Sequence, residues 1–289
     1  MTIKNPFSFR VFSRVSRAII LPALVFSTSA VFGVVIVGHR GASIDAPENS
    51  LSAMKLAWKQ GADGIETDIH LSKDGKIVVM HDYDTKRTGG VNKKIVESTW
   101  DELKDVDVAK AINPKFAPEK IPTLDSIWAT IPDGKFIFTE LKIHDTAILA
   151  ELEKAMKASG KTKEQLQFHT FLYDMAQALK EKFPDHKVYW LAGWSKDKKT
   201  GEYPKLDDLI AKAKAAHLDG INLQGLKSYT NGAGFPIDKA FVKKIHDAGL
   251  KIYPWTIDNA EVARKLVEAG VDGIISNRPA WLREQLSTK

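Results

Sequence analysis

The chain has 289 residues, 44% hydrophobic and 27% charged, which suits one large globular domain or two small ones. It contains no cysteine, which excludes disulfides, thiolate metal sites and cysteine nucleophiles. The formal net charge is +6, but Lys4, Arg10, Arg14 and Arg17 supply four of those charges, and no separate basic tract argues for nucleic acid.

The N-terminus has the order of a secretory signal. A basic stretch to Arg17 precedes an apolar run over 18–26, and the small residues Ser27, Thr28, Ser29 and Ala30 follow. Residues 1–30 are therefore expected to be a cleaved signal peptide, with a domain over 31–289 that is periplasmic or secreted. An uncleaved membrane anchor is the alternative, and only that would bring a membrane into play.

From Val34 onward, strand and helix alternate. Residues 34–37 are β-branched, uninterrupted and stopped by Gly38, the pattern of a short buried strand. An amphipathic helix is expected over 50–60, a strand over 65–71, a hairpin turn at Asp74-Gly75 and a return strand over 77–80. Residues of about 82–120 read as an irregular insertion with one short helix near 99–103. Thr123 is expected to cap a helix over 124–130. Further strands are expected at 136–138, 165–170, 187–191, 220–223, 252–255 and 273–275, each followed by a helix. With the return strand set aside, this gives eight βα units. The spacing predicts an α/β fold, a (β/α)8 TIM barrel with a small insertion after the second strand. A doubly wound open sheet is the competing architecture and differs in lacking closure. In a barrel, function sits at the C-terminal ends of the strands. His39, Arg40, Asp68, Glu140, Trp255 and Asn277 fall there.

His39-Arg40 at the end of a strand is a poor choice for a core and a good one for holding an anion. Alternation places Glu66 and Asp68 on one face of their strand. Two such carboxylates repel unless a cation lies between them, and oxygen donors without cysteine favour Mg²⁺ or Ca²⁺. A solvent-facing strand edge would show the same acidic alternation. Glu140 and Lys142 again share a face, as a metal ligand and an anion partner or as a plain ion pair. His81 and His39 both end strands, and phosphodiester cleavage needs one proton acceptor and one proton donor. His70, His144, His186, His217 and His246 are expected to be structural or on the surface, and His169 a bystander in the cleft.

The stretch HRGASIDAPENSLSAMKLAWKQGADGIETDIHLSKDGKIVVMHD carries these residues in order. With TGG at 88–90, IPTLDSI at 121–127, FTELK at 138–142, YPWTIDN and DGIISNRP, the chain resembles the glycerophosphodiester phosphodiesterase family across about 34–285. That resemblance implies a metal-dependent hydrolysis of glycerophosphodiesters through a cyclic phosphate. It implies His39 and His81 as acid and base, Arg40 and Lys142 on the phosphate, and Glu66, Asp68 and Glu140 on the ion. Glu48 would orient Arg40 or, with Asn49, cap a helix. The sequence departs from the family at Ser276-Asn277 and at His169-Thr170-Phe171, both on the cleft wall. Trp194, Tyr229, Phe235 and Trp255 could line a head-group pocket, and Trp255 matches a family aromatic. Two other readings stay open: a lysophospholipase D or sphingomyelinase D-like activity on lipid, and a protein that binds a phosphodiester without turning it over.

Overall fold

The computed structural model describes residues 1–2, 33–225 and 237–287. The expected signal segment, apart from Met1 and Thr2, lies outside the described residues, as do Tyr229 and Phe235. The chain divides into units at 1–33 and 34–289, and everything below concerns the second. Among the described residues no helix is long and apolar enough to cross a membrane.

Seven parallel strands form the frame: β1 (Val35–Gly38), β2 (Gly64–Leu71), β4 (Phe136–Leu141), β5 (Leu166–Thr170), β6 (Val188–Ala192), β7 (Gly220–Leu223) and β8 (Gly273–Ser276). The sheet order is β7-β6-β5-β4-β2-β1-β8. Strand β3 (Ile77–Val79) folds back antiparallel on the far end of β2, as the Asp74-Gly75 turn implies. Helices α1 (Leu51–Lys59), α4 (Leu124–Trp128), α5 (Ile148–Ser159), α6 (Tyr173–Lys182), α7 (Leu206–Ala215), α8 (Lys239–Asp247), α9 (Ala260–Ala269) and α10 (Pro279–Ser287) follow the frame strands or their connections. The Ser50 hydroxyl caps α1 by accepting from Ala53 N–H, and the Thr123 hydroxyl caps α4 in the same way.

One expected strand, over 252–255, is absent. Pro254 has no N–H to donate, so a regular ladder cannot form there. The segment still closes the ring. On one side Lys251 N donates to Asp219 O, Ile221 N to Lys251 O and Trp255 N to Leu223 O, at 3.0, 2.9 and 3.0 Å. On the other, Asp272 N donates to Ile252 O, Ile275 N to Pro254 O and Ile257 N to Ile275 O, at 3.1, 2.9 and 3.0 Å. An irregular stave thus stands between β7 and β8, and the fold is a barrel rather than an open sheet.

Inside the ring, Val37, Phe138, Tyr189, Tyr253 and Ile275 pack together. Phe138 meets Tyr189 and Tyr253 edge-on, with centroids 5.0 and 5.1 Å apart, the favoured aromatic geometry. This plug fills the interior below the strands' C-terminal ends. A larger apolar layer lies between sheet and helices. The insertion follows β3 and is more ordered than its polarity suggests. It holds α2 (Lys86–Gly89) and α3 (Trp100–Leu103), and Val78, Met80, Ile95, Leu103, Val106, Val108 and Ile121 form a small core of their own.

Candidate active site

Strand register brings the site together. Asp68 on β2 is paired with Glu140 on β4, and Glu140 with His169 on β5, so three adjacent strands present these residues at one level. Glu66 lies one inward-facing position below Asp68. Both carboxylates are only 1% exposed, which rules out the solvent-edge alternative. His39, Arg40, Glu66, His81, Glu140, Lys142 and Trp255 line one cavity, with His169, Phe171, Leu191 and Ile275. Asp68 stands just behind that wall.

Asp68 is fully engaged. Its Oδ2 accepts from Asn49 Nδ2 at 2.8 Å and lies 3.4 Å from Arg40 Nε, while Oδ1 lies 3.4 Å from Lys142 Nζ. Burial pushes its pKa up, but Arg40 and Lys142 outweigh it and hold the carboxyl well below the usual carboxylate range. Glu66 and Glu140 differ. Burial, and then Asp68, pushes Glu66 up to about 7 and Glu140 well above its ordinary value. Arg40, Lys142 and Arg87 pair with Glu48, Asp68, Asp82 and Glu140. Glu66 has none of these cations as a side-chain partner, only the Arg40 backbone N–H on Oε2 and the imidazoles of His39 and His169 at 3.9 and 3.6 Å.

The two histidines are fixed differently. His39 Nδ1 lies 2.6 Å from Asn277 Oδ1. Asn277 Nδ2 donates to Asp258 Oδ2 at 2.5 Å, and a carboxylate accepts only, so the Asn277 oxygen must face His39. His39 therefore carries its proton on Nδ1, and the Nε2 lone pair is free toward the cavity. Burial lowers the His39 pKa from its ordinary 6.5, which keeps the ring neutral at pH 7. His81 Nδ1 donates to Asp82 Oδ1 at 2.7 Å, which also leaves Nε2 free.

Arg87 joins these parts. Its guanidinium donates to both oxygens of Asp82, at 2.7 and 3.1 Å, and to both oxygens of Glu48, at 2.8 and 2.7 Å. Glu48 in turn accepts from Arg40 Nη1 at 3.0 Å. Of the two expected roles for Glu48, orienting Arg40 is the one observed. Ser50, not Asn49, caps the helix. Asn49 and Arg40 both take left-handed backbone, φ 57° and 54°, which costs about 1–3 kcal/mol each. That turn brings Arg40 N–H to Glu66 Oε2 at 2.9 Å and sets the Asn49 amide against Thr67 and Asp68.

Sequence reasoning missed Arg87, Asp258 and the polar role of Asn49. It set His169 aside, although the ligand atoms of Glu66, Glu140 and His169 lie within 4.8 Å of one another. Trp194 is outside the site: it is buried, stacked on Tyr203 and edge-on to Phe241. Trp255 is in it, with its indole N–H on Asn222 O at 2.8 Å and its ring edge-on to Phe171 at 5.3 Å.

A model of the glycerophosphoryl diester phosphodiesterase family matches residues 39–281. A glycerophosphodiester phosphodiesterase of Caldanaerobacter subterraneus is 30% identical over 250 residues, covering 86% of this chain and 95% of that protein. The solved glycerophosphodiester phosphodiesterase of Thermotoga maritima is 26% identical with a TM-score of 0.66, over 87% of this chain and 98% of that one. An Oleispira antarctica phosphodiesterase, solved with its product sn-glycerol-3-phosphate, shares the fold at 23% identity and a TM-score of 0.73, over 88% of this chain and 96% of that one.

Proposed function

This chain belongs to the glycerophosphoryl diester phosphodiesterase family, and we propose that it hydrolyses glycerophosphodiesters to glycerol 3-phosphate and an alcohol. The observation that carries this is the cavity itself. It joins two imidazoles with free Nε2 atoms, two cations for a phosphate and two buried glutamates, one of them with an unpartnered oxygen.

His39 Nε2 takes the proton from the glycerol hydroxyl next to the phosphate. That oxygen attacks phosphorus and closes a cyclic phosphate. His81 Nε2, protonated, delivers a proton to the departing alcohol oxygen. Water then opens the ring with the two roles reversed. Arg40 and Lys142 neutralise the charge gathering on the phosphoryl oxygens. Glu66 and Glu140, with Asp68 at their side, would hold a divalent ion, which supplies Lewis-acid stabilisation of the same oxygens. The orphaned Glu66 Oε1 and the raised pKa values of both glutamates fit such an ion. An all-oxygen donor set favours Mg²⁺ or Ca²⁺, and His169 bears on that choice.

The Trp255 ring lines the cavity and suits a cationic head group, such as that of glycerophosphocholine, while the Phe171 ring already carries Lys142 Nζ at 6.0 Å. A lipid substrate is the second reading. Phe171 lines the cavity and is 42% exposed, an apolar surface that suits an acyl chain. The basic, apolar, small order of residues 1–30 supports export, with hydrolysis outside the cytoplasm.

Glycerophosphocholine incubated with the protein is expected to give glycerol 3-phosphate and choline in equal amounts. Phosphocholine and glycerol would mean that the wrong P–O bond breaks and would overturn the mechanism. Faster choline release from lysophosphatidylcholine would transfer the function to lipid. Binding without any product would leave a phosphodiester-binding protein.

A further inference from the structure

We propose that His169 is a ligand of the divalent ion, giving Glu66 and Glu140 a nitrogen partner, and that the site therefore takes Co²⁺ and Zn²⁺ more tightly than Mg²⁺ and Ca²⁺. The inference rests on the reading above, that Glu66 and Glu140 hold an ion.

His169 is 1% exposed at the C-terminal end of β5, in register with Glu140. Its ring lies against Phe138, 5.2 Å between centroids and 22° from parallel, which fixes the direction of the imidazole. Nε2 stands 3.6 Å from Glu66 Oε1. Neither atom has a hydrogen-bond partner, and both are buried. A separation of 3.6 Å is too long for a hydrogen bond. It is short enough for two atoms that share one ion, since such ligands each stand about 2.0–2.2 Å from it. Orphaned buried polar atoms are costly, and two facing each other call for a common partner.

The other ring nitrogen supports the assignment. Nδ1 lies 3.4 Å from the Asn222 amide nitrogen, while Asn222 Oδ1 is buried without a partner. Turning that amide over gives Oδ1 the Nδ1–H as donor. The same change leaves the Nε2 lone pair directed at Glu66 and Glu140. A carbonyl oxygen on the far nitrogen is the usual support of a metal-bound imidazole.

Asp68, the third carboxylate of the expected oxygen trio, is already held by Arg40, Lys142 and Asn49. A site in which imidazole joins two carboxylates is a mixed nitrogen and oxygen set. Imidazole suits borderline ions, and affinity along the first transition row rises above that of the hard alkaline-earth ions.

The test is Co²⁺ binding to the metal-free full chain, followed by calorimetry and by the visible absorption of the bound ion, with Mg²⁺ titrated in parallel. The parent is expected to bind Co²⁺ more tightly than Mg²⁺. His169→Gln is expected to weaken Co²⁺ about 100-fold or more, beyond the loss typical of a residue that only supports a ligand, and to change the visible bands, with a smaller effect on Mg²⁺. Glu66→Gln is the companion variant. If it weakens Co²⁺ while His169→Gln alters neither affinity nor bands, His169 is no ligand and the glutamate site stands. If the parent binds no divalent ion, the underlying reading fails and this one with it. Proton NMR of the Co²⁺-loaded protein adds a second readout, because His39 Nε2 also lies 3.9 Å from Glu66 Oε2. A far-shifted, exchangeable imidazole N–H resonance that His169→Gln removes supports ligation, and its absence from the parent or its persistence in that variant overturns it.

Discussion

His39→Ala is expected to lower turnover of a glycerophosphodiester about 10²–10⁴-fold, the usual contribution of a general acid or base. The loss should come from chemistry and not from the fold. His39 holds its place in β1's extension through a backbone bond, N–H to Ser276 O at 2.8 Å, which alanine keeps. The partner it abandons is not left bare. Asn277 Oδ1 still accepts from the Ser43 hydroxyl at 2.9 Å, and its amide still donates to Asp258. Steady-state rates together with a thermal melt separate the two effects. An unchanged melt with the rate of the parent would show that the two-histidine mechanism is wrong.

The second large effect is at Glu66. Its Oε2 accepts from Arg40 N–H at 2.9 Å, while Oε1 is orphaned and faces Glu140 and His169. Glu66→Gln keeps an oxygen for Arg40 and removes the negative charge. Divalent-ion affinity is expected to fall about 100-fold or more, beyond the 10–100-fold typical of residues that only support a ligand. Turnover at a fixed, limiting ion concentration should fall with it and recover in part when the ion is raised. Calorimetry on the variant reads the affinity directly. An affinity equal to the parent's would place the ion elsewhere.

Much of the site is legible in the sequence. Period-two alternation put Glu66 and Asp68 on one face, and strand ends put His39, Arg40 and Glu140 at one rim. Alternation gives a direction, however, and not a partner. Nothing local in Glu66-Thr67-Asp68 says that Asn49, Arg40 and Lys142 claim Asp68 and leave Glu66 Oε1 free. That outcome depends on a left-handed turn at residues 40 and 49 and on the register of three strands. His169 carries no signal in the sequence, because a single histidine at a strand end has no pattern of its own. Only the pairing of β4 with β5 places it beside Glu140. Arg87 lay in a stretch read as irregular, and its role comes from four hydrogen bonds to residues as far away as Glu48. The stave at 251–257 has strand-like composition, and its length and apolarity hide the one missing donor at Pro254.

The central claim is that this cavity hydrolyses a glycerophosphodiester with the help of a divalent ion. Its most direct test is a phosphorus NMR time course on glycerophosphocholine with protein stripped by EDTA, followed by addition of one ion at a time. No change before addition, and conversion to glycerol 3-phosphate after it, is the predicted result. Equal conversion in EDTA, or none with any of Mg²⁺, Ca²⁺, Co²⁺ or Zn²⁺, would contradict it.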